Sequence, residues 1–537
     1  MYIDLNLDLV TFPSNLAEES LVWEIYKGNT KINGGNFSGK TQGDTIKLFN
    51  GQEINSTTST YKLYIWIDGN QENPSAMMNQ NFVFHLNASV TDETPPLDSS
   101  GANKPALVDG LIPVVYDDTN STWVKAETED RTSQYKWYDY NDKKWANAVL
   151  VSSTNRATYQ GANAGAAISE SDVLAYYVWI PRYKYKVWNI NKDMNMTNNL
   201  NAQTEGIDIV FESGTASTGT ISCNYDFTIT NGSLSEICTG SNGDYYTHPA
   251  FTFGNDEVTG FWVGKFEISS ETPDVQTNSN YYGGGNVTNL TVRIKPNVRS
   301  WRYNTLTNFY KVIYDMQITN NIYGLNTSRS NTDSHMLKNM EWGAIAYLTN
   351  SKYGRCANNT CTEVTINNSS DFITGNAGDT VSASSASGIT NAYNTTKGQL
   401  ASTTGNIYGV YDMSGGAWEY VMGNMSSATG SYIYYASSGG LNYTYTGNEK
   451  YVNTYSYGTS NTNQTAYNRA RLGDATSESK SWYSDSTSFV NSSSSWFGRG
   501  GNYSNAAGAG PFDSNGNAGL TLNGVSARAA LFAVTSN

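Results

Sequence analysis

Residues 405–423 read GNIYGVYDMSGGAWEYVMG, a glycine-rich turn that leads into a run of large side chains. Gly415 and Gly416 permit the positive φ angles that a tight turn requires. Beyond the turn every second residue is large, which is the period of a β-strand with one buried face: Trp418, Tyr420 and Met422. The stretch predicts a turn followed by a strand, with Trp418 as an anchor in the core.

Five further stretches accompany this one in the C-terminal half of the chain: GKFEIS (264–269), KPNVRSW (295–301), MEWGAIAYLTNSKYG (340–354), WFGRGGNYS (496–504) and GVSARAAL (524–531). Together with residues 405–423, and in this order, they resemble the C-type-lectin-like domain of the formylglycine-generating-enzyme, or sulfatase-modifying, type. The resemblance covers residues 251–537 and implies an α+β domain.

Two helices are predicted in this region. Apolar residues recur at spacings of three and four over 306–316, as in an amphipathic helix. A second helix is predicted over 334–349, with Asp333 or Ser334 as its N-cap. Because Ser334 and His335 begin this predicted helix, we interpret them as a helix start rather than a nucleophile pair.

A set of framework residues is predicted around the terminal strand. Arg528 lies within an otherwise apolar stretch, so it needs a partner or an edge position. Glu419 and Asp412 are its candidate partners, in an ion pair that would be architectural. The predicted framework is Trp418, Glu419, Arg499 and Arg528.

The resemblance does not extend to catalysis. Formylglycine-generating enzymes carry two copper-binding cysteines after the RGG turn, whereas residues 499–519 here read RGGNYSNAAGAGPFDSNGNAG. Related iron-dependent sulfur–carbon synthases need a histidine-rich site, and the three histidines are scattered: His85, His248 and His335. We therefore predict no enzymatic activity and no catalytic residues.

Residues 499–531 also resemble the variable region of proteins diversified by retroelements, in which an RGG turn and a terminal strand frame many changeable positions. An ordinary polar binding loop is the alternative. Tyrosine supplies rigid contact area, and serine and asparagine supply adaptable hydrogen bonds. The predicted ligand-binding residues are Asn502, Tyr503, Ser504, Asn505, Asp513, Ser514, Asn515, Asn517 and Asn523.

Calcium is the one cofactor that the sequence suggests. Asp513, Asn515 and Asn517 have the D-x-N-x-N spacing of a calcium loop. Ala518 stands where that loop requires glycine, however, and Gly524 where it requires glutamate. A turn-forming loop is the alternative, so calcium stays possible without assignable ligands.

The N-terminal half has a different character. Short alternating runs separated by the turns NGG (33–35) and DGN (68–70) predict a β-sandwich over 1–92 that serves anchoring or assembly. It resembles, loosely, camelysin-type fibre subunits of Gram-positive bacteria, and residues 1–12 are a candidate for pairing with a neighbour's sheet edge. A linker follows at 93–105 and an irregular β module at 106–250.

Net charge and cysteine content restrict which partners and which location the sequence predicts. A net charge of −14 disfavours nucleic-acid binding, and no apolar run approaches the ~20 residues of a membrane span. Met1 leads directly into YIDLNLDLVTF, so export would need a leader that has been removed. Two local pairs predict the disulfides Cys223–Cys238 and Cys356–Cys361 and an extracellular location, with free buried thiols as the alternative.

These observations predict a multidomain, secreted or surface-displayed ligand-binding protein without catalytic activity, bacterial or phage-encoded. Its ligand would be a protein or glycan on another cell, a host or a phage surface. One alternative is a structural subunit of an extracellular fibre or pilus-like assembly. Another is a phage tail receptor-binding protein.

Overall fold

The structure of the protein is a computed structural model. It describes residues 2–53, 58–69, 77–91, 98–192, 194, 201–217, 222–225, 236–270, 291–318, 320–325, 332–386, 391–425 and 450–533. The chain divides into two units, Met1–Pro96 and Leu97–Asn537. The protein is rich in β structure, with several sheets and few helices among the described residues.

The described residues of the first unit form two three-stranded antiparallel sheets with the strand orders β4–β1–β6 and β3–β2–β5. Their strands are β1 Tyr2–Thr11, β2 Leu21–Lys27, β3 Thr30–Asn36, β4 Thr45–Glu53, β5 Tyr61–Ile67 and β6 Val83–Thr91. Alternate apolar residues of both sheets share one core, which includes Leu7 of β1, Ile25 of β2 and Leu48 of β4.

The position of β1 overturns one expectation from the sequence. β1 is hydrogen-bonded to β4 on one side and to β6 on the other. A strand that is bonded on both sides has no free edge. The prediction that residues 1–12 pair with a neighbour's sheet is therefore wrong.

The second unit contains a seven-stranded antiparallel sheet in its described part, in the order β21–β29–β18–β10–β9–β7–β8. Its strands are β7 Leu111–Asp117, β8 Thr122–Lys125, β9 Asn147–Val151, β10 Val173–Pro181, β18 Gly260–Gly264, β21 Thr332–Met336 and β29 Ala529–Ala533.

This sheet joins segments on both sides of residue 250, where the sequence predicts a domain boundary. All nine residues of β10 are buried, so the strand needs partners along both edges. β9 provides one partner and β18 the other, with Trp179 opposite Trp262. One hydrophobic core extends from Val108 to Phe532. The structure therefore has a single unit where two were expected.

A second sheet of the same unit contains the glycine-rich stretch quoted first. Its described strands have the order β25–β24–β26–β27, and β28 pairs with β24 as well. They are β24 Trp418–Met425, β25 Asn453–Tyr455, β26 Trp496–Arg499, β27 Ser514–Asn517 and β28 Val525–Ala527. β24 is central, parallel to β25 and β28 and antiparallel to β26.

Shorter strands complete the β structure: β11 Tyr183–Lys186, β12 Ile209–Phe211, β13 Ser222–Tyr225, β14 Glu236–Thr239, β15 Tyr245–Thr247, β16 Thr252–Phe253, β17 Asp256–Glu257, β19 Ser269–Ser270, β20 Val292–Arg293, β22 Cys356–Ala357 and β23 Thr360–Cys361. The α-helices of the described residues are α1 Arg156–Gly161, α2 Leu306–Asp315, α3 Asn339–Thr349 and α4 Gln464–Tyr467. None of them is long and apolar enough to cross a membrane.

The second predicted helix begins five residues later than expected. Residues 332–336 form β21, which is paired with the terminal strand β29, so their backbone groups are committed to a sheet. The helix α3 begins at Asn339, where the Glu341 carboxylate accepts a hydrogen bond from the Lys338 backbone N–H at 2.8 Å. Ser334 and His335 are strand residues rather than a helix start.

The structure describes the side chains of one cysteine pair and only the backbone of the other. Cys356 and Cys361 form a disulfide that links β22 to β23. Cys223 and Cys238 occupy directly opposite positions of the β13–β14 pair. Their side chains lie outside the described residues, so the Cys223–Cys238 disulfide stays a prediction.

Candidate functional site

The RGG turn connects β26 to the loop that carries most of the predicted binding residues. Gly500 and Gly501 both have positive φ, at 84° and 70°. At Gly501 an added Cβ would lie 2.7 Å from the Cβ of Ala509, so only glycine lets the two ends of this loop approach each other. The turn therefore fixes where the loop leaves the sheet.

Arg499 holds this turn in place through buried hydrogen bonds. Its side chain is completely buried. One terminal nitrogen, Nη1, donates to the side-chain oxygen of Asn339 at 3.0 Å, and Nη2 donates to the Ala475 carbonyl at 2.9 Å. Arg499 thus ties β26 to the start of α3 and to the 474–475 segment, which is a framework role.

Arg528 forms the second buried anchor. Its Nε donates to Glu419 at 2.9 Å, and its Nη2 contacts the other oxygen of the same carboxylate. Its remaining donors reach the carbonyls of Gly264 and Tyr411, at 2.8 and 2.9 Å. The terminal strand is thereby bound to β24, and the ion pair suggested by the sequence is present in the structure.

Two more carboxyl groups surround this ion pair. Glu267 accepts a hydrogen bond from the Ala417 N–H at 2.8 Å, which holds the turn at Gly415 and Gly416, here called the hallmark turn. Asp412 accepts a hydrogen bond from the Gly375 N–H at 2.8 Å. Burial, followed by the charges of Asp412 and Glu419, raises the pKa of Glu267 well above its ordinary value. Burial also raises the pKa of Glu419, to about 7, against the opposing charge of Arg528, so at pH 8 we assign the ionised carboxylate to Glu419 and the proton to Glu267.

Trp418 does not have the position that was predicted for it. It is only partly buried and packs at the margin of the core. From Glu419 onward both faces of β24 are buried, so the alternation along the sequence does not distinguish an inner from an outer face. As the first residue of the strand, Trp418 lies at its surface end. The prediction that it is a core anchor is wrong.

Five of the predicted binding residues flank β24 and β28, and we call them the Tyr503 surface: Asn502, Tyr503, Ser504, Asn505 and Asn523. Ser504, Asn505 and Asn523 are exposed, while Asn502 and Tyr503 are half-buried. The Tyr503 backbone N–H donates to the Gly416 carbonyl at 2.9 Å, which joins the loop to the hallmark turn. The Trp418 N–H donates to the Gly524 carbonyl at 2.8 Å, next to Asn523.

Two residues that the sequence analysis did not single out support the Tyr503 surface. The ring of Phe372 meets that of Tyr503 edge-on, with centroids 4.7 Å apart. The guanidinium of Arg302 lies 3.6 Å from the centroid of Phe372 and donates to the Asn523 side-chain oxygen at 2.9 Å. Burial lowers the pKa of Arg302 to about 10. Arg302 follows the KPNVRSW stretch directly, which is the only signal of it in the sequence.

The loop residues also brace one another. The Asn502 side-chain oxygen accepts hydrogen bonds from the backbone N–H and hydroxyl of Ser504, at 3.0 and 2.8 Å. The Asn505 side-chain oxygen accepts one from the Asn502 N–H at 2.7 Å. These bonds are local to the loop, so they hold its shape without contributing to the core.

Asn515 and Asn517 lie apart from the Tyr503 surface. They are on β27. The strands β26 and β24 lie between β27 and β28, so the two strands are three inter-strand spacings apart, or about 14 Å. Asn515 is exposed and accepts a hydrogen bond from the Ser488 hydroxyl at 2.9 Å. Asn517 accepts one from the Tyr420 hydroxyl at 2.6 Å. The nine predicted residues therefore do not form one patch.

Asp513 and Ser514 are buried, so their assignment to an exposed binding face is wrong. The Ser514 hydroxyl donates to the Ser488 carbonyl at 3.1 Å. Neither Asp513 oxygen accepts a hydrogen bond from any described residue. Burial and the neighbouring Asp485 raise the pKa of Asp513 well above its ordinary value. This burial could not be predicted from the sequence, because DSNGN has the composition of a surface loop.

The described residues hold no group of three or more His, Cys, Asp or Glu side chains arranged for a metal ion. In the D-x-N-x-N stretch, the side-chain oxygens of Asn515 and Asn517 accept hydrogen bonds from protein hydroxyl groups. Sequence spacing had suggested calcium here, and the structure assigns no ligands to it.

No protein-family model matches the chain, and a comparison with curated proteins gives no match. Among solved structures, the chain is similar to the Major Tropism Determinant I1 variant, with 12% identity, a TM-score of 0.23, and coverage of 81% of this chain and 97% of that one. The U1 variant gives 11% identity, a TM-score of 0.21, and coverage of 80% and 96%. TM-scores this low leave function to be judged from the contacts of the chain itself.

Proposed function

We propose that residues 97–537 form a C-type-lectin-like module that binds a ligand through the Tyr503 surface and has no catalytic role. On this proposal the protein is secreted or displayed on a surface. The ligand is a protein or glycan on another cell, a host or a phage.

The separation between framework and surface loop carries this proposal. Arg499 and Arg528 are completely buried and fix the two strands that flank the loop. Ser504, Asn505 and Asn523 are exposed, and the hydrogen bonds of the Asn502, Ser504 and Asn505 side chains are made within the loop, although Asn523 also accepts from Arg302. Side chains placed in this way can change without altering the core, which is what a recognition surface requires.

The test compares binding with stability. The variant Tyr503→Ala/Ser504→Ala/Asn505→Ala should lose binding in a screen of a glycan array and of whole bacterial cells with labelled protein. Its free energy of unfolding should fall by only about 2–3 kcal/mol, because the two loop hydrogen bonds that it removes contribute about 1 kcal/mol each and the loss of side-chain packing at the loop surface about 0.5 kcal/mol.

A matched control is Thr119→Ala/Asn120→Ala, at another exposed turn of the same unit. It should bind as the wild type does. If the triple variant binds equally well, or if it unfolds as a core variant does, the Tyr503 surface is not the binding site. Whole cells form a separate arm because a phage tail receptor-binding protein would find its ligand there.

A further inference from the structure

The outer face of the β3–β2–β5 sheet in the first unit carries an unusual set of side chains. Leu63 and Ile65 of β5 pack against the core of the unit, so the residues that alternate with them point outward. Directly opposite residues of antiparallel strands share a face. The outward pairs between β2 and β5 are Val22 with Trp66, Glu24 with Tyr64, and Tyr26 with Lys62.

Two aromatic rings on this face are open to solvent. Tyr64 is 49% exposed and Trp66 is 41% exposed. The solvent face of an antiparallel sheet is ordinarily polar, so adjacent exposed rings need an explanation. An apolar patch rimmed by polar groups marks a binding site on a soluble protein.

Polar groups beside these rings are held in place. The Tyr26 ring meets the Tyr64 ring edge-on, with centroids 5.5 Å apart, and its hydroxyl donates to Glu24 at 2.7 Å. The Lys31 ammonium is paired with the other Glu24 oxygen at 2.5 Å. The hydrogen bonds from Lys31 and Tyr26 lower the pKa of Glu24, so its carboxylate is ionised and accepts further hydrogen bonds.

The face carries a shallow depression that is open to solvent. A depression of about 420 Å³ lies along β2 and β5, with Trp66 at one end and the turn Gly28–Asn29 at the other. This volume falls within the range of about 300–1,000 Å³ for small-molecule sites. Lys62 lines the same depression and adds a hydrogen-bond donor opposite Tyr26.

We infer that this depression is a carbohydrate site that takes a short pyranose oligosaccharide. The C–H face of a pyranose ring is apolar and stacks on an exposed aromatic ring, here Trp66 and Tyr64. Its hydroxyl groups both donate and accept, which matches the Glu24 carboxylate and the Lys62 ammonium. The site lies in a different unit from the Tyr503 surface and does not depend on the function proposed for that surface.

The test uses the full chain and isothermal titration calorimetry. The probes are linear di- to tetrasaccharides of glucose, galactose and N-acetylglucosamine, with adenosine monophosphate as a second stacking ligand. At least one saccharide should bind the wild type, and Trp66→Ala and Tyr64→Ala should each raise its Kd at least tenfold. The control Leu86→Ala removes a side chain that is 52% exposed on β6 of the other sheet, and it should leave Kd unchanged.

Melting curves verify that each variant is folded, which is expected since both rings are exposed. The inference is overturned if no saccharide binds the wild type, or if adenosine monophosphate alone binds. Saccharide binding that survives Trp66→Ala but is lost in the Tyr503 triple variant would place the ligand on the other unit and overturn it too. Sedimentation supplies one more refuting result, namely self-association that Trp66→Ala abolishes in the absence of saccharide binding.

Discussion

At the residue scale, the centre of the second unit holds three buried carboxyl groups and one guanidinium: Glu267, Asp412, Glu419 and Arg528. Glu419 binds Arg528 through both oxygens, whereas Glu267 accepts a backbone hydrogen bond from the hallmark turn. One positive charge cannot balance three negative charges at low dielectric. The two glutamates should therefore respond to substitution in opposite ways.

Glu267→Gln is expected to preserve or raise the free energy of unfolding at pH 8. Because the pKa of Glu267 is raised in the folded state, its contribution is complete below the ordinary value of 4.5 and is lost as pH rises through the folded pKa. Glutamine keeps a neutral group at every pH and removes this loss. Urea unfolding at pH 4.5, 6 and 8 measures the effect.

Glu419→Gln is the matched comparison. It leaves the Arg528 charge buried without its ionised partner, which should cost about 3–5 kcal/mol at pH 8, where Glu419 is ionised, and less at pH 4.5 and 6. Equal losses for the two glutamine variants at pH 8 would show that Glu267 is ionised in the folded protein, contrary to our assignment.

At the scale of the element, the hallmark turn depends on glycine for two reasons. Gly415 has a φ of 76°, and a Cβ added there would lie 2.4 Å from the Asn367 carbonyl oxygen. Gly214→Ala is a control in the same unit, since Gly214 has a φ of 67° but no atom within 4 Å of an added Cβ.

Gly214→Ala should cost only the conformational term of about 1–2 kcal/mol. Gly415→Ala should cost at least about 3 kcal/mol, because the strand β24 must shift to relieve the contact with backbone. Chemical unfolding of both variants gives the comparison. Similar losses would mean that the close approach to Asn367 is relieved easily and that the turn does not position β24.

At the scale of the whole molecule, the second unit should be indivisible at residue 250. The strand β18 is bonded to β10 along one edge, and β10 belongs to the earlier segment. A chain of residues 251–537 would expose the edge of β18 and the faces that cover β10, including Trp262. It should lack cooperative unfolding and a folded near-UV circular dichroism spectrum.

A chain of residues 97–537 keeps both β10 and β18 and should unfold in a single cooperative transition. The two fragments are compared by near-UV circular dichroism and size-exclusion chromatography. Cooperative unfolding of 251–537 alone would restore the boundary that was expected from the sequence and would reduce the seven-stranded sheet to a contact between two domains.

The sequence by itself determined the features that local chemistry controls. The period of two predicted strands such as β5, spacings of three and four predicted α2 almost to its ends, and adjacent glycines predicted the turn at 415–416. An arginine in an otherwise apolar stretch predicted a partner or an edge position for Arg528, and of its two candidate partners, Glu419 and Asp412, the structure pairs it with Glu419. Each of these rests on backbone geometry or on the cost of an unpaired buried charge.

Only the tertiary structure decided which strands are neighbours and which polar residues are covered. β10 and β18 are far apart in sequence, and no local pattern states that they pair. Asp513 and Asn515 have similar local sequence, yet one is buried and the other exposed. Burial depends on the segments that pack across a residue, here β26 and the stretch around Asp485 and Ser488, and such packing is a property of the folded chain rather than of any short stretch of it.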